Sequence, residues 1–163
     1  MMTRPSIPAP SEADEVSGCG ISALPGRLVM RPAESKGAKA AERPDYFLFQ
    51  PEDIDPARPP LVAVHGISRN AQAHVEAFAE VAVAQRRLLV APHFDADRFE
   101  GFQRLARGTE EAVQALWRDV EEVSGRVIDQ VDIVGFSGGA QFAHRYAMLN
   151  PERVSSLILV AAG

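Results

Sequence analysis

The residues best suited to chemistry in this chain are Gly135, Phe136, Ser137, Gly138 and Gly139. A serine hydroxyl is a weak nucleophile unless a base takes its proton and its oxygen stands where a reacting carbon can reach it. The spacing G-x-S-x-G meets the second condition when it joins a strand to a helix, because small flanking residues let the chain fold back on itself and leave the hydroxyl exposed. Here the apolar run VDIVG precedes the serine and an amphipathic segment, residues 138–149, follows at once. The helix would point its positive end at the reaction centre, and the Gly138 N–H would donate to a developing oxyanion. Three fixed residues, each about 7% of ordinary chains, recur by chance, so the strand–turn–helix context singles out Ser137. The plainer alternative is a glycine-rich strand-to-helix turn, of the kind that can bind phosphate. A dinucleotide site fits less well, since G-x-G-x-x-G is not matched and no acid ends the next strand.

A second group is His65, Gly66 and Ile67, at the end of another apolar run. A second oxyanion N–H should come from this loop. Gly66 allows a tight turn, and Ile67 is the expected donor, with its neighbour as the other choice. His65 reads first as a structural histidine that bonds nearby backbone and holds the loop. With Gly66, His93 and Phe136 it is also expected to line the cleft.

These groups need a scaffold. Residues 26–31 and 45–50 read as two strands paired antiparallel, with a polar loop over 32–44 between them. Residues 60–64, 87–92, 131–135 and 154–162 are continuous apolar runs, the mark of strands buried on both faces. Between them, 70–85, 109–124 and 138–149 carry apolar residues on one helical face. Thr109 is a candidate cap, with Glu110 and Glu111 in the first turn. Strands alternating with helices predict a doubly wound, mainly parallel α/β sheet. Ligands of such sheets bind outside the carboxyl ends of the strands, where Ser137, His65 and His93 all fall.

Composition narrows the possibilities. The 163 residues suffice for one domain, and 46% hydrophobic with 24% charged residues suits a globular protein. The net charge of −5 and scattered basic residues, read as solvated surface, argue against nucleic acid or an anionic membrane as partner. The single cysteine, Cys19, excludes an internal disulfide and a cysteine metal cluster. Residues 1–24 are proline-rich and polar, without the apolar core of a signal peptide, and predict a disordered segment ahead of a domain over 25–163. A cytoplasmic location is expected, and no metal or organic cofactor is implied.

PLVAVHG, LLVAPHFDADRFEGFQRL and VDIVGFSGGAQFAHRYAMLNPERVSSLILVAAG together resemble the α/β-hydrolase superfamily. More narrowly, they resemble its esterase and polyhydroxyalkanoate-depolymerase-like members, over roughly residues 26–163. The resemblance implies that fold, a serine nucleophile at Ser137, an oxyanion hole from Gly138 and Ile67, and a small-molecule ester as substrate.

The rest of a catalytic triad is not visible. This fold orders its triad Ser, then Asp or Glu, then His. After Ser137 the only acid is Glu152, in a turn at the far edge of the sheet, and the only histidine is His144. His144 lies seven residues along the helix, about 10 Å at a 1.5 Å rise, too far to return to the serine. His93 lies upstream on the correct face but about 9–10 Å away at ~4.8 Å per strand. Asp95 or Asp97 could orient it, although its loop, 92–105, reads better as a cleft wall. His74 is expected at the surface. Residues 156–163 carry no charge, yet they form the last strand and leave one backbone edge open. The expectation is therefore the N-terminal portion of a larger hydrolase, cut after the sixth strand. It would be an acyl-transfer enzyme once completed. The alternative is an inactive remnant that binds a partner, or itself, through that strand.

Overall fold

Three short apolar runs form the centre of one six-stranded sheet, and the fourth, expected to be buried on both faces, lies at its edge with no buried residue. The computed structural model describes residues 21–33 and 43–163. Its strands are Gly26–Arg31 (β1), Asp45–Pro51 (β2), Leu61–Val64 (β3), Leu89–His93 (β4), Val131–Phe136 (β5) and Val154–Val160 (β6). They lie in the order β1-β2-β4-β3-β5-β6. The β1–β2 and β2–β4 pairs are antiparallel, and the β4–β3, β3–β5 and β5–β6 pairs are parallel. Each parallel step needs a crossover, supplied by helices Ala71–Ala84 (α1), Thr109–Ser124 (α2) and Gly138–Leu149 (α3).

The period of two along each strand divides the core between two faces. Leu61, Ala63, Leu89, Ala91 and Val134 pack with Val75, Ala79 and Ala82 of α1. Their neighbours Val62, Val64, Val90 and Ile133 pack with Val113, Leu116 and Trp117 of α2 and with Phe142 and Tyr146 of α3. Both faces are thus covered by helices, which is why these strands read as unbroken apolar runs. The doubly wound α/β class expected from the sequence is the one observed. Among the described residues no helix is long and apolar enough to cross a membrane.

Four further expectations need correction. The fourth strand starts at Leu89 rather than Arg87. Arg86 takes a left-handed φ of 53° and turns the chain, while the Arg87 guanidinium is buried against Asp132 of β5. Thr109 does not cap α2: the capping position belongs to Gly108 at φ 91°, no side-chain cap bond forms, and Thr109 is buried. The basic residues are not all solvated surface. Arg43 and Arg87 are buried, and Arg31 and Arg43 both pair with Asp119, which also accepts the Tyr46 hydroxyl at 2.6 Å. Finally, the predicted disorder over 1–24 falls mostly outside the described residues, as do Cys19 and residues 34–42 of the predicted loop. Its last part is ordered: Ile21 is buried in the α1-side core, and Leu24 N–H donates to Ile21 O at 2.9 Å.

Candidate active site

Ser137 sits between β5 and α3 with φ 50° and ψ −116°, and it is exposed. A non-glycine residue at such a φ carries strain of about 1–3 kcal/mol and persists only where its surroundings fix it. Three bonds do so here. Its N–H donates to Val160 O of β6 at 2.8 Å, and its carbonyl accepts Ala140 N–H at 2.9 Å and Gln141 N–H at 3.1 Å. The flanking glycines answer a steric demand. A Cβ on Gly135 would stand 2.4 Å from Gly139 O, and one on Gly139 would stand 2.3 Å from Val64 O. Both obstacles are backbone, so neither can give way. Only glycine lets α3 start so close to β5 and β3.

The loop after β3 meets the serine. A Cβ on Gly66 would lie 3.3 Å from Ser137 Cβ, and one on Gly138 would lie 3.6 Å from Ile67 N. The two amides expected to form an oxyanion hole, Ile67 and Gly138, thus stand next to each other beside the serine. Among the described residues neither donates to a hydrogen-bond acceptor. Free donors at a helix start suit an anion. Phe136 is exposed beside the serine, and the His74 ring stacks obliquely on it with centroids 5.7 Å apart.

His65 lies beneath this site rather than along a cleft, because it is fully buried. Its Nε2 accepts Phe94 N–H at 3.0 Å, so the proton is on Nδ1, which donates to Gly66 O at 2.7 Å. Burial lowers its pKa to about 4, against the raising effect of the Gly66 bond, so the ring is neutral at pH 7. Gly66 is buried with it. His93 ends β4 and is half-buried, with its ring centroid 6.0 Å from that of His65. Asp95 does not orient His93. It accepts Arg98 Nε at 2.6 Å and the N–H groups of Asp97 and Arg98, closing its own turn. His74 is half-buried rather than at the surface, and burial lowers its pKa. His144 is exposed on α3.

The structure adds two residues that pattern reading missed. Gln103, on the 94–105 loop, brings its Cβ within 3.6 Å of where a Gly138 Cβ would stand, which makes that loop a wall of the site. Arg69 reaches from the turn after Ile67 to the same loop. Arg69 has no sequence signal, since its partners are backbone atoms of a distant segment. Among the described residues no group of three His, Cys, Asp or Glu side chains is placed to hold a metal ion.

No protein-family model and no curated protein matches the chain. Solved structures do. Poly(aspartic acid) hydrolase-1 from Sphingomonas sp. KT-1 is similar at 21% identity and a TM-score of 0.62, over 82% of this chain and 55% of that one. The poly(3-hydroxybutyrate) depolymerase LpqC from Bordetella parapertussis is similar at 20% identity and a TM-score of 0.62, over 81% and 50%. An alpha/beta hydrolase from Novosphingobium aromaticivorans is similar at 19% identity and a TM-score of 0.55, over 83% and 44%. The chain therefore spans about half the length of the structures it matches.

Proposed function

Taking as premise that this chain has the α/β-hydrolase fold, we propose that it is the nucleophile-bearing part of a serine hydrolase acting on carboxylic esters. The observation that carries this is the exposed Ser137 at φ 50°, set beside two acceptor-free N–H groups. Ser137 Oγ attacks the ester carbonyl, and the carbonyl oxygen becomes an oxyanion held by the Gly138 and Ile67 N–H groups. Collapse of the tetrahedral intermediate expels the alcohol and leaves an acyl-serine, which water then cleaves. A base must take the serine proton and return it to the leaving alcohol. No side chain among the described residues is bonded to Ser137 in that role, and a histidine with its orienting acid supplied from outside these 163 residues would complete the triad. The greater length of the matched hydrolase and depolymerase structures supports this, and their names support an ester- or amide-cleaving class.

The test is hydrolysis of a short-chain nitrophenyl ester by the purified 163-residue chain, with Ser137→Ala as control. The expected result is no serine-dependent rate from this chain alone and a clear one from a version carrying the missing half, abolished by Ser137→Ala. Full activity of the alanine variant in that longer version would refute the assignment.

A second reading is an inactive partner-binding fragment. It is favoured by β6, which pairs only with β5 among the described residues and exposes Ile158 at 58% and Leu159 at 40%. Its signature is concentration-dependent association without any esterase activity in the longer version.

A further inference from the structure

The amide of Ile67 has nothing in its own side chain to aim it. It belongs to the planar trans peptide of Gly66 and Ile67, in which the N–H and the C=O point opposite ways. Fixing Gly66 O therefore fixes the direction of the Ile67 N–H. Two donors hold that oxygen: His65 Nδ1 at 2.7 Å and the Arg69 backbone N–H at 3.0 Å. The second closes a turn over residues 66–69 around Ile67. The turn must itself be held, because Ile67 and Ser68 are exposed.

We propose that Arg69 is the positioning residue of this site, holding the Ile67 amide in place by clamping the turn to the backbone of Phe94 and the loop that follows. The proposal rests on Ile67 being an oxyanion donor. Arg69 takes φ 57°, an uncommon conformation for a residue with a side chain. From there its Nη1 donates to Phe94 O and to Phe99 O at 3.3 Å, and its Nη2 donates to Glu100 O at 3.3 Å. Its Cζ lies 5.2 Å from the Phe102 ring centroid, and that ring also meets the His65 ring edge-on at 5.1 Å. Phe94 is thus gripped at both ends of its backbone: its N–H donates to His65 Nε2, and its carbonyl accepts from Arg69. The two gripping residues stand two positions before and two after Ile67. A rigid planar fork can serve several carbonyls at once, which a lysine ammonium on a flexible stem does less well. No carboxylate pairs with Arg69 among the described residues, so its donors are committed to backbone.

The test is residue-resolved amide hydrogen exchange on the 163-residue chain with Arg69→Ala, Arg69→Lys and Arg69→Gly. Glycine accepts φ 57° without strain, so Arg69→Gly removes the fork without a backbone penalty. The amides of residue 69 and Phe94 are expected to exchange about tenfold faster in the alanine and glycine variants, and by less in Arg69→Lys, with β5 and α3 amides unchanged. Unchanged exchange at residue 69 and Phe94 would overturn the clamp. A uniform rise across β5 and α3 would make Arg69 a general stabiliser and overturn it equally. A second measurement, made on the longer version that supplies the base, is the labelling of Ser137 by a fluorophosphonate ester, in which Oγ displaces fluoride at phosphorus and gives its proton to that base. The maximal labelling rate is expected to fall roughly 100-fold in Arg69→Gly, with the half-saturating probe concentration unchanged. If the longer parent protein is not labelled at all, the hydrolase assignment loses support, while the exchange data on the 163-residue chain still decide the clamp.

Discussion

At the scale of single residues, the site is held together by groups in states they would not adopt alone. Ser137 at φ 50° is strained, and the strain is tied to its exposure at the tip of the turn. Ser137→Gly removes both the hydroxyl and the steric cost, so it should raise stability by about 1 kcal/mol, whereas Ser137→Ala keeps the strain and should not. Urea unfolding of the two variants checks this, and equal midpoints would mean that the turn relaxes in solution. His65 is the second such group. In the folded chain it stays neutral down to about pH 4, because burial disfavours its charge. Unfolded, it takes a proton near its ordinary 6.5. Between those values the unfolded chain binds more protons, so stability falls as pH drops from 6.5 to 4 and loses nothing further from this group below that. The full effect is about 3 kcal/mol. His74, whose pKa burial also lowers, adds to the same slope. Thermal melts across this range should show the slope, and His65→Gln should flatten most of it. An equal slope in both proteins would mean that His65 does not stay neutral in the fold.

At the scale of elements, legibility followed burial. β3, β4 and β5 are covered on both faces, so their sequences are unbroken apolar runs that no loop or amphipathic helix would carry. α3 was legible to its ends because Gly138 follows the serine turn and Asn150–Pro151 stops it. Where elements meet through polar groups, sequence was mute. Arg87 reads as part of a strand, yet its guanidinium lies against Asp132 forty-five positions later. Thr109 has the right chemistry for a cap, but Gly108 at φ 91° sets the entry angle and turns Thr109 into the core. His65 was legible as a loop-holding histidine, since any histidine at a buried strand end needs two partners; which two, Gly66 O and Phe94 N–H, depended on how β4 lies beside β3. Arg69 was not legible at all. Its acceptors are the carbonyls of Phe94, Phe99 and Glu100, and backbone atoms leave no mark on residue type.

At the scale of the whole molecule, the sheet is asymmetric. At one edge β1 carries Arg27 and Arg31, charged residues of the kind that keep an edge strand from pairing with another chain. At the other edge β6 reads VSSLILV, without a charge, and Met148 and Leu149 at the end of α3 are exposed at 70% and 62%. The same strand holds the site, because Val160 O accepts the Ser137 N–H. Whatever pairs with the outer edge of β6 is therefore coupled through one strand to the nucleophile turn. The 163-residue chain by itself should cover this edge with a second copy, and sedimentation velocity should show dimers or larger species growing with concentration. Ile158 is more than half exposed, so a lysine there costs little within one chain and places a charge on the pairing surface. Ile158→Lys should shift the population to monomer without lowering the melting temperature measured at high dilution. A parent chain that stays monomeric at all concentrations would contradict this, and would mean that the open edge of β6 is protected by its own twist or by residues outside the described ones.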